Sequence, residues 1–179
     1  RLTARLIGGD FIKYSSRFPA EFGSRADMTP GPLIEAVRRV SLVAERGSPV
    51  RLVFDDDEVV IEAGSQGQAR AVERVPATFS GDERVIAFNP NYLLDGLNAA
   101  ATPWTSTPGR SGANETGDDA KSAARSSGPG LIRLEFTSSA RPAVITWVPG
   151  ADDPPPADDD APAPGFRYLV VPLRMPGGA

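Results

Sequence analysis

Side chains able to do chemistry are scarce in this chain. Among its 179 residues there is no histidine and no cysteine. Ser-His and Cys-His nucleophile pairs, imidazole or thiolate zinc sites and disulfides are therefore excluded. Carboxylates, Ser, Lys and Tyr remain. The densest acids are Asp55-Asp56-Asp57-Glu58 and Asp158-Asp159-Asp160. The first run lacks the spaced ligand pattern of a calcium loop. It stands between two apolar segments, as a hairpin turn would. The second reads as a solvated charge run. No carboxylate pair stands out, so no catalytic residue, cofactor or metal site is expected. Among cations, Arg38, Arg39 and Arg46 fall close together. From the residues alone, Arg38 and Arg39 read as a solvated helix face, partly offset by Glu35 and Glu45.

These residues must be carried by a folded frame, and the net charge of -4 says little about it until its distribution is seen. Residues 149–165 hold five aspartates and no basic residue, so the rest of the chain is close to neutral. Residues 102–130 are rich in Gly, Ser, Thr and Ala. Both segments lack the apolar residues that offset ordering entropy and are expected to be disordered insertions. No apolar run approaches the roughly 20 residues that span a bilayer. No signal-peptide pattern opens the chain, and the expected compartment is the cytoplasm. The chain does not begin with Met, as a fragment or a processed product would not.

The frame itself is duplicated. Thr29-Pro30-Gly31-Pro32-Leu33-Ile34-Glu35-Ala36-Val37 aligns without gaps on Asn89-Pro90-Asn91-Tyr92-Leu93-Leu94-Asp95-Gly96-Leu97, 60 residues later. Each copy has a capping residue, a proline at the first helical position and an apolar stripe. The first helix is expected to run to about Arg46, with Gly47 as its C-cap, and the second to about Ala100. Alternating apolar residues predict strands over 1–7, 21–27, 50–54, 59–63, 68–80, 85–88, 131–137, 143–148 and 166–173. From residue 21 the order is β-α-β-β-β, then β-α-β-β-β. That is an α+β fold, two units with two helices packed on one face of antiparallel sheet.

Four stretches resemble the C-terminal domain of the bacterial DNA polymerase III sliding clamp, the beta subunit. They are Arg5-Leu6-Ile7-Gly8-Gly9-Asp10-Phe11 with Tyr14, Val50-Arg51-Leu52, Ile86 through Leu97, and Tyr168-Leu169-Val170-Val171-Pro172-Leu173-Arg174. The resemblance implies a non-enzymatic processivity factor for DNA replication: a homodimer ring around duplex DNA, its helices lining the hole. It further implies a hydrophobic groove that takes short peptides from the polymerase III alpha subunit, the clamp loader and repair polymerases. Residues 1–19 would be the end of the middle clamp domain and its connector, 20–175 the third domain and 176–179 a tail. Carried over by position, the groove residues would be Ile12, Ser16 and Arg17 on the connector, Asn89 and Tyr92 at the second helix, and Ala140 and Pro142 before the penultimate strand. Leu169, Val170, Val171, Pro172, Leu173, Arg174 and Met175 would complete it. Arg38 and Arg39 would face the DNA. Ile12 stands where the family often has proline, and Ser16 where it often has arginine. The first domain and most of the middle one are absent from the chain. An alternative is a truncated clamp paralogue that serves as a stand-alone interaction, decoy or inhibitor-resistance module.

Overall fold

Proline at each helix start and apolar alternation in most strands produce the expected order. In the computed structural model the described residues are 3, 8, 11, 13–44, 47–64, 69–101, 130–148 and 166–174. Apart from Thr3 and Gly130, the strand expected over 1–7, both expected insertions and the 176–179 tail lie outside them. A short 3-10 turn, Tyr14–Arg17, precedes β1 (Ser24–Met28), α1 (Pro30–Ser41), β2 (Val50–Phe54), β3 (Glu58–Gly64) and β4 (Arg70–Gly81). Then come β5 (Val85–Phe88), α2 (Pro90–Ala101), β6 (Leu131–Phe136), β7 (Ala143–Val148) and β8 (Arg167–Val170). Every pairing is antiparallel, in the order β5-β2-β3-β4-β1-β6-β7-β8.

The two helices pack on each other, α1 also on β2 to β4 and α2 on β6 to β8. Leu33, Ile34, Ala36, Val37 and Val40 of α1 are buried, as are Leu93, Gly96, Leu97 and Ala100 of α2. The inward strand positions supply the rest of the core. Phe54 stacks on Phe79 at 5.1 Å and meets Phe136 at 5.8 Å, joining both units.

β4 binds the halves together. Its residues 70–76 pair with β3 and residues 77–81 with β1. Pro76, which has no N–H to donate, falls at the handover between the two partners.

Helix ends depart from expectation. α1 stops at Ser41 rather than near Arg46. The Ser41 hydroxyl donates back to the Arg38 carbonyl at 2.7 Å, and the N–H groups of Leu42, Val43 and Ala44 reach carbonyls only three residues back. The last turn therefore tightens out of the α form. Gly47 lies beyond it at φ 90, a conformation that favours glycine. The two repeat caps also differ. Asn89 Oδ1 accepts the Asn91 N–H at 2.9 Å, whereas the Thr29 side chain makes no capping bond. β1 begins at Ser24, and the final strand leaves its ladder after Val170 rather than near 173.

Candidate functional site

The 60-residue repeat fixes where the chain end must go. In the first unit β1 pairs with β4, Asp27 opposite Thr78. The matching rungs β3–β4 and β7–β8 place Val75 opposite Val59 and Val170 opposite Ala143. Carrying the β1–β4 register into the second unit sets Ala87 opposite Leu173. The Leu173 N–H does donate to the Ala87 carbonyl, at 2.8 Å. This bond brings the chain end across to β5, at the opposite edge of the sheet. Pro172, beside it, offers no N–H, so the seam stays short.

Several expected groove residues lie close along the chain to that bond or to the β7–β8 ladder leading to it. Val171 is 63% exposed while Pro172 is buried. Asn89, two residues beyond Ala87, opens α2, and Tyr92 on the first turn is 61% exposed. Pro142 directly precedes Ala143, the rung opposite Val170, and is half-buried, while Ala140 is exposed in the preceding turn. That turn closes with the Arg141 N–H on the Ser138 carbonyl at 3.2 Å. Leu169 and Leu173 are half-buried, and Arg174 is exposed.

Tyr168 on β8 sits against α2. A Cβ added at Gly96 would lie 2.5 Å from the Tyr168 ring, so only glycine leaves room there. Burial pushes the Tyr168 hydroxyl above the usual tyrosine range, with the Asp95 carboxylate and Tyr92 adding to it. It stays protonated near neutral pH.

A cation–π contact links the connector to β8. The Arg167 guanidinium lies over the Phe18 ring at 4.5 Å. Arg17 is exposed, and the exposed Ser16 hydroxyl donates to the Lys13 carbonyl at 2.9 Å. Ile12 and Met175 lie outside the described residues.

Arg38 and Arg39 are exposed on α1 but already engaged. Arg38 holds Glu35 at 2.7 Å, and Arg39 grips both carboxylate oxygens of Glu73 at 2.8 and 3.3 Å. The Arg39 hydrogen bonds hold the Glu73 carboxyl below its ordinary value. Glu73, on β4, is a partner that helix periodicity alone does not reveal.

The sequence reading also missed Ala87, Phe18, Arg167 and Gly96. The repeat register was the available signal for the first; the others depend on tertiary placement. A cleft of about 310 Å³ elsewhere on the molecule is lined by Gly23, Ser24, Asp82, Glu83 and Thr137, without an apolar wall. Among the described residues no acid cluster suits a metal, and no helix is long and apolar enough to cross a membrane.

Comparison with known proteins shows the family. Residues 15–106, more than half of the chain, match the model of the DNA polymerase III beta subunit, C-terminal domain. The chain belongs to that family, the sliding clamps. It is 40% identical over 177 residues to the beta sliding clamp of Streptomyces coelicolor, covering 99% of this chain and 38% of the relative. It is 36% identical over 175 residues to the beta sliding clamp homolog GriR of Streptomyces muensis, again 38% of that protein. A Pseudomonas aeruginosa sliding clamp solved with griselimycin bound shares the fold, with a TM-score of 0.67, 20% identity, and coverage of 96% of this chain and 36% of that one. The chain thus spans well under half the length of these sliding clamps.

Proposed function

We propose that this chain is the third domain of a sliding clamp, residues 20–175, preceded by the end of a middle domain and its connector in residues 1–19. In this reading it acts in the cytoplasm as a non-catalytic processivity factor. With the missing domains it closes a homodimer ring around duplex DNA, α1 and α2 facing the hole. Short peptides of the polymerase III alpha subunit, the clamp loader and repair polymerases dock beside residues 169–175, against Asn89, Tyr92, Ala140 and Pro142, with Ile12, Ser16 and Arg17 on the far wall.

The supporting observation is the Leu173-to-Ala87 bond. It stations the apolar segment after β8, with Val171 exposed and Leu173 half-buried, near the start of α2, which suits capture of a few apolar side chains by a partly preformed surface. The test is a titration of the chain with a clamp-binding peptide from the replicative polymerase, alone and with the upstream domains restored. Saturable binding that the upstream domains strengthen is expected. A folded protein that binds nothing in either form defeats the reading.

A second reading, a truncated paralogue serving as an interaction, decoy or inhibitor-resistance module, is motivated by the connector, where Ile12 and Ser16 stand in place of the family's frequent proline and arginine, and by the two insertions. Sequencing the coding region upstream of Arg1 separates the two. An in-frame continuation encoding the two other domains supports the ring, and a start codon at that point supports the module.

A further inference from the structure

The middle of β7 is buried on both faces. Ala143 and Ile145 point into the core, so Val144 and Thr146 point outward, away from it. Yet Val144 is 0% exposed and Thr146 only 4%. The matching face of the first unit is open. By the rungs compared above, Thr146 opposite Arg167 corresponds to Glu62 opposite Val72, and Val72 is 43% exposed. The second unit carries a cover there that the first lacks.

The connector touches both sides of β7. On β8, the Arg167 guanidinium lies over the Phe18 ring. Just past the end of β6, the Thr137 hydroxyl donates to the Glu21 carbonyl at 3.2 Å. Phe18 and Pro19 are half-buried. Residues 18–21 therefore bridge the two strands that flank β7. Arginines stand opposite Thr146 on both sides, but Arg133 is committed to Asp27 by hydrogen bonds at 2.7 and 2.8 Å. Arg167 is the one that holds the ring.

We propose that Arg167 is a positioning residue. Through Phe18 it latches the connector onto the outward face of β7, so this domain itself holds Ser16 and Arg17, the proposed far wall, in place. This rests on the peptide-docking reading above and deepens it. Ser16 and Arg17 end the short 3-10 turn directly before Phe18, so fixing the ring fixes them within two residues. A wall set in advance spares an incoming peptide the entropy of ordering the connector.

The experiment follows tryptic cleavage of the Arg17–Phe18 bond by mass spectrometry, because that cut requires the connector to lift from the sheet. Arg167→Gln is expected to quicken it about two- to fivefold, the scale of one exposed cation-over-ring contact. Phe18→Tyr, which keeps a ring, should preserve this sensitivity to Arg167→Gln. In a Phe18→Leu background Arg167→Gln should change nothing further, since the two residues act as a pair. Affinity for the polymerase-derived peptide should fall by up to the same factor in Arg167→Gln. Unchanged cleavage in Arg167→Gln, or equal acceleration with and without the ring, overturns the latch and leaves the docking reading standing. Faster cleavage with undiminished peptide affinity overturns the positioning role. A parent chain that binds no peptide, alone or with the upstream domains restored, defeats the docking reading and the positioning role together.

Discussion

Gly96 and Gly31 occupy the two helices, yet a methyl group should affect them very differently. At Gly96 the added Cβ meets the Tyr168 ring at 2.5 Å and the Ile145 side chain at 3.0 Å, whereas at Gly31 nothing lies within 4 Å. Gly96→Ala is therefore expected to cost about 1–3 kcal/mol by overpacking. Gly31→Ala should stay within about 0.5 kcal/mol. Urea unfolding of both variants checks the contrast. Glu73 offers a second test at this scale. Its folded pKa lies below the unfolded value because of Arg39, so the stability it contributes is present above the ordinary carboxylate pKa. That stability is lost as pH falls through the lower folded value. Glu73→Gln should flatten this acid-side loss in unfolding curves taken across that window. The sequence exposed Arg39 as a surface cation but not its partner, since Glu73 lies 34 positions away and is brought close only by helix-on-sheet packing.

At the scale of elements, the repeat made most of the architecture readable. Proline-led helix starts and period-two strands were recovered because local chemistry and tertiary burial agree there. They disagree at the ends. α1 stops early because Ser41 competes for a backbone carbonyl, a choice periodicity does not record. β8 ends at Val170 because Pro172 has no N–H for a continuing ladder. The caps, alike in sequence, should respond unequally. Asn89→Ala removes the bond to the Asn91 N–H and is expected to cost about 1 kcal/mol. Thr29→Ala removes no capping bond and should cost a few tenths of that. Thermal denaturation of the pair decides it. Of the candidate groove, the tail and the start of α2 were legible through the family resemblance. The link from connector to β8 through Phe18 and Arg167 was not, because a cation over a ring leaves no pattern along the chain.

For the whole molecule, the charge pattern bears on the proposed DNA-facing surface. Arg38 and Arg39 are held by Glu35 and Glu73, so they offer phosphates little uncompensated charge. If α1 faces the duplex, the double variant Glu35→Gln, Glu73→Gln should tighten non-specific duplex binding. It should also steepen the salt dependence by roughly one to two released counterions. A filter-binding salt series reads both. An unchanged slope would place α1 away from DNA.

The strand order also governs how this chain is made. β1 lies between β4 and β6, and β2 is covered on one side by β5. A ribosome completing β4 therefore releases a half-built sheet with two bare edges. One waits briefly for β5; the other waits until β6 emerges, roughly 50 residues after Gly81. At 5–20 residues per second that wait lasts about 3–10 seconds, in which naked β edges are open to foreign strands. The low-complexity stretch before β6 thus sets the length of a vulnerable interval in the birth of the protein.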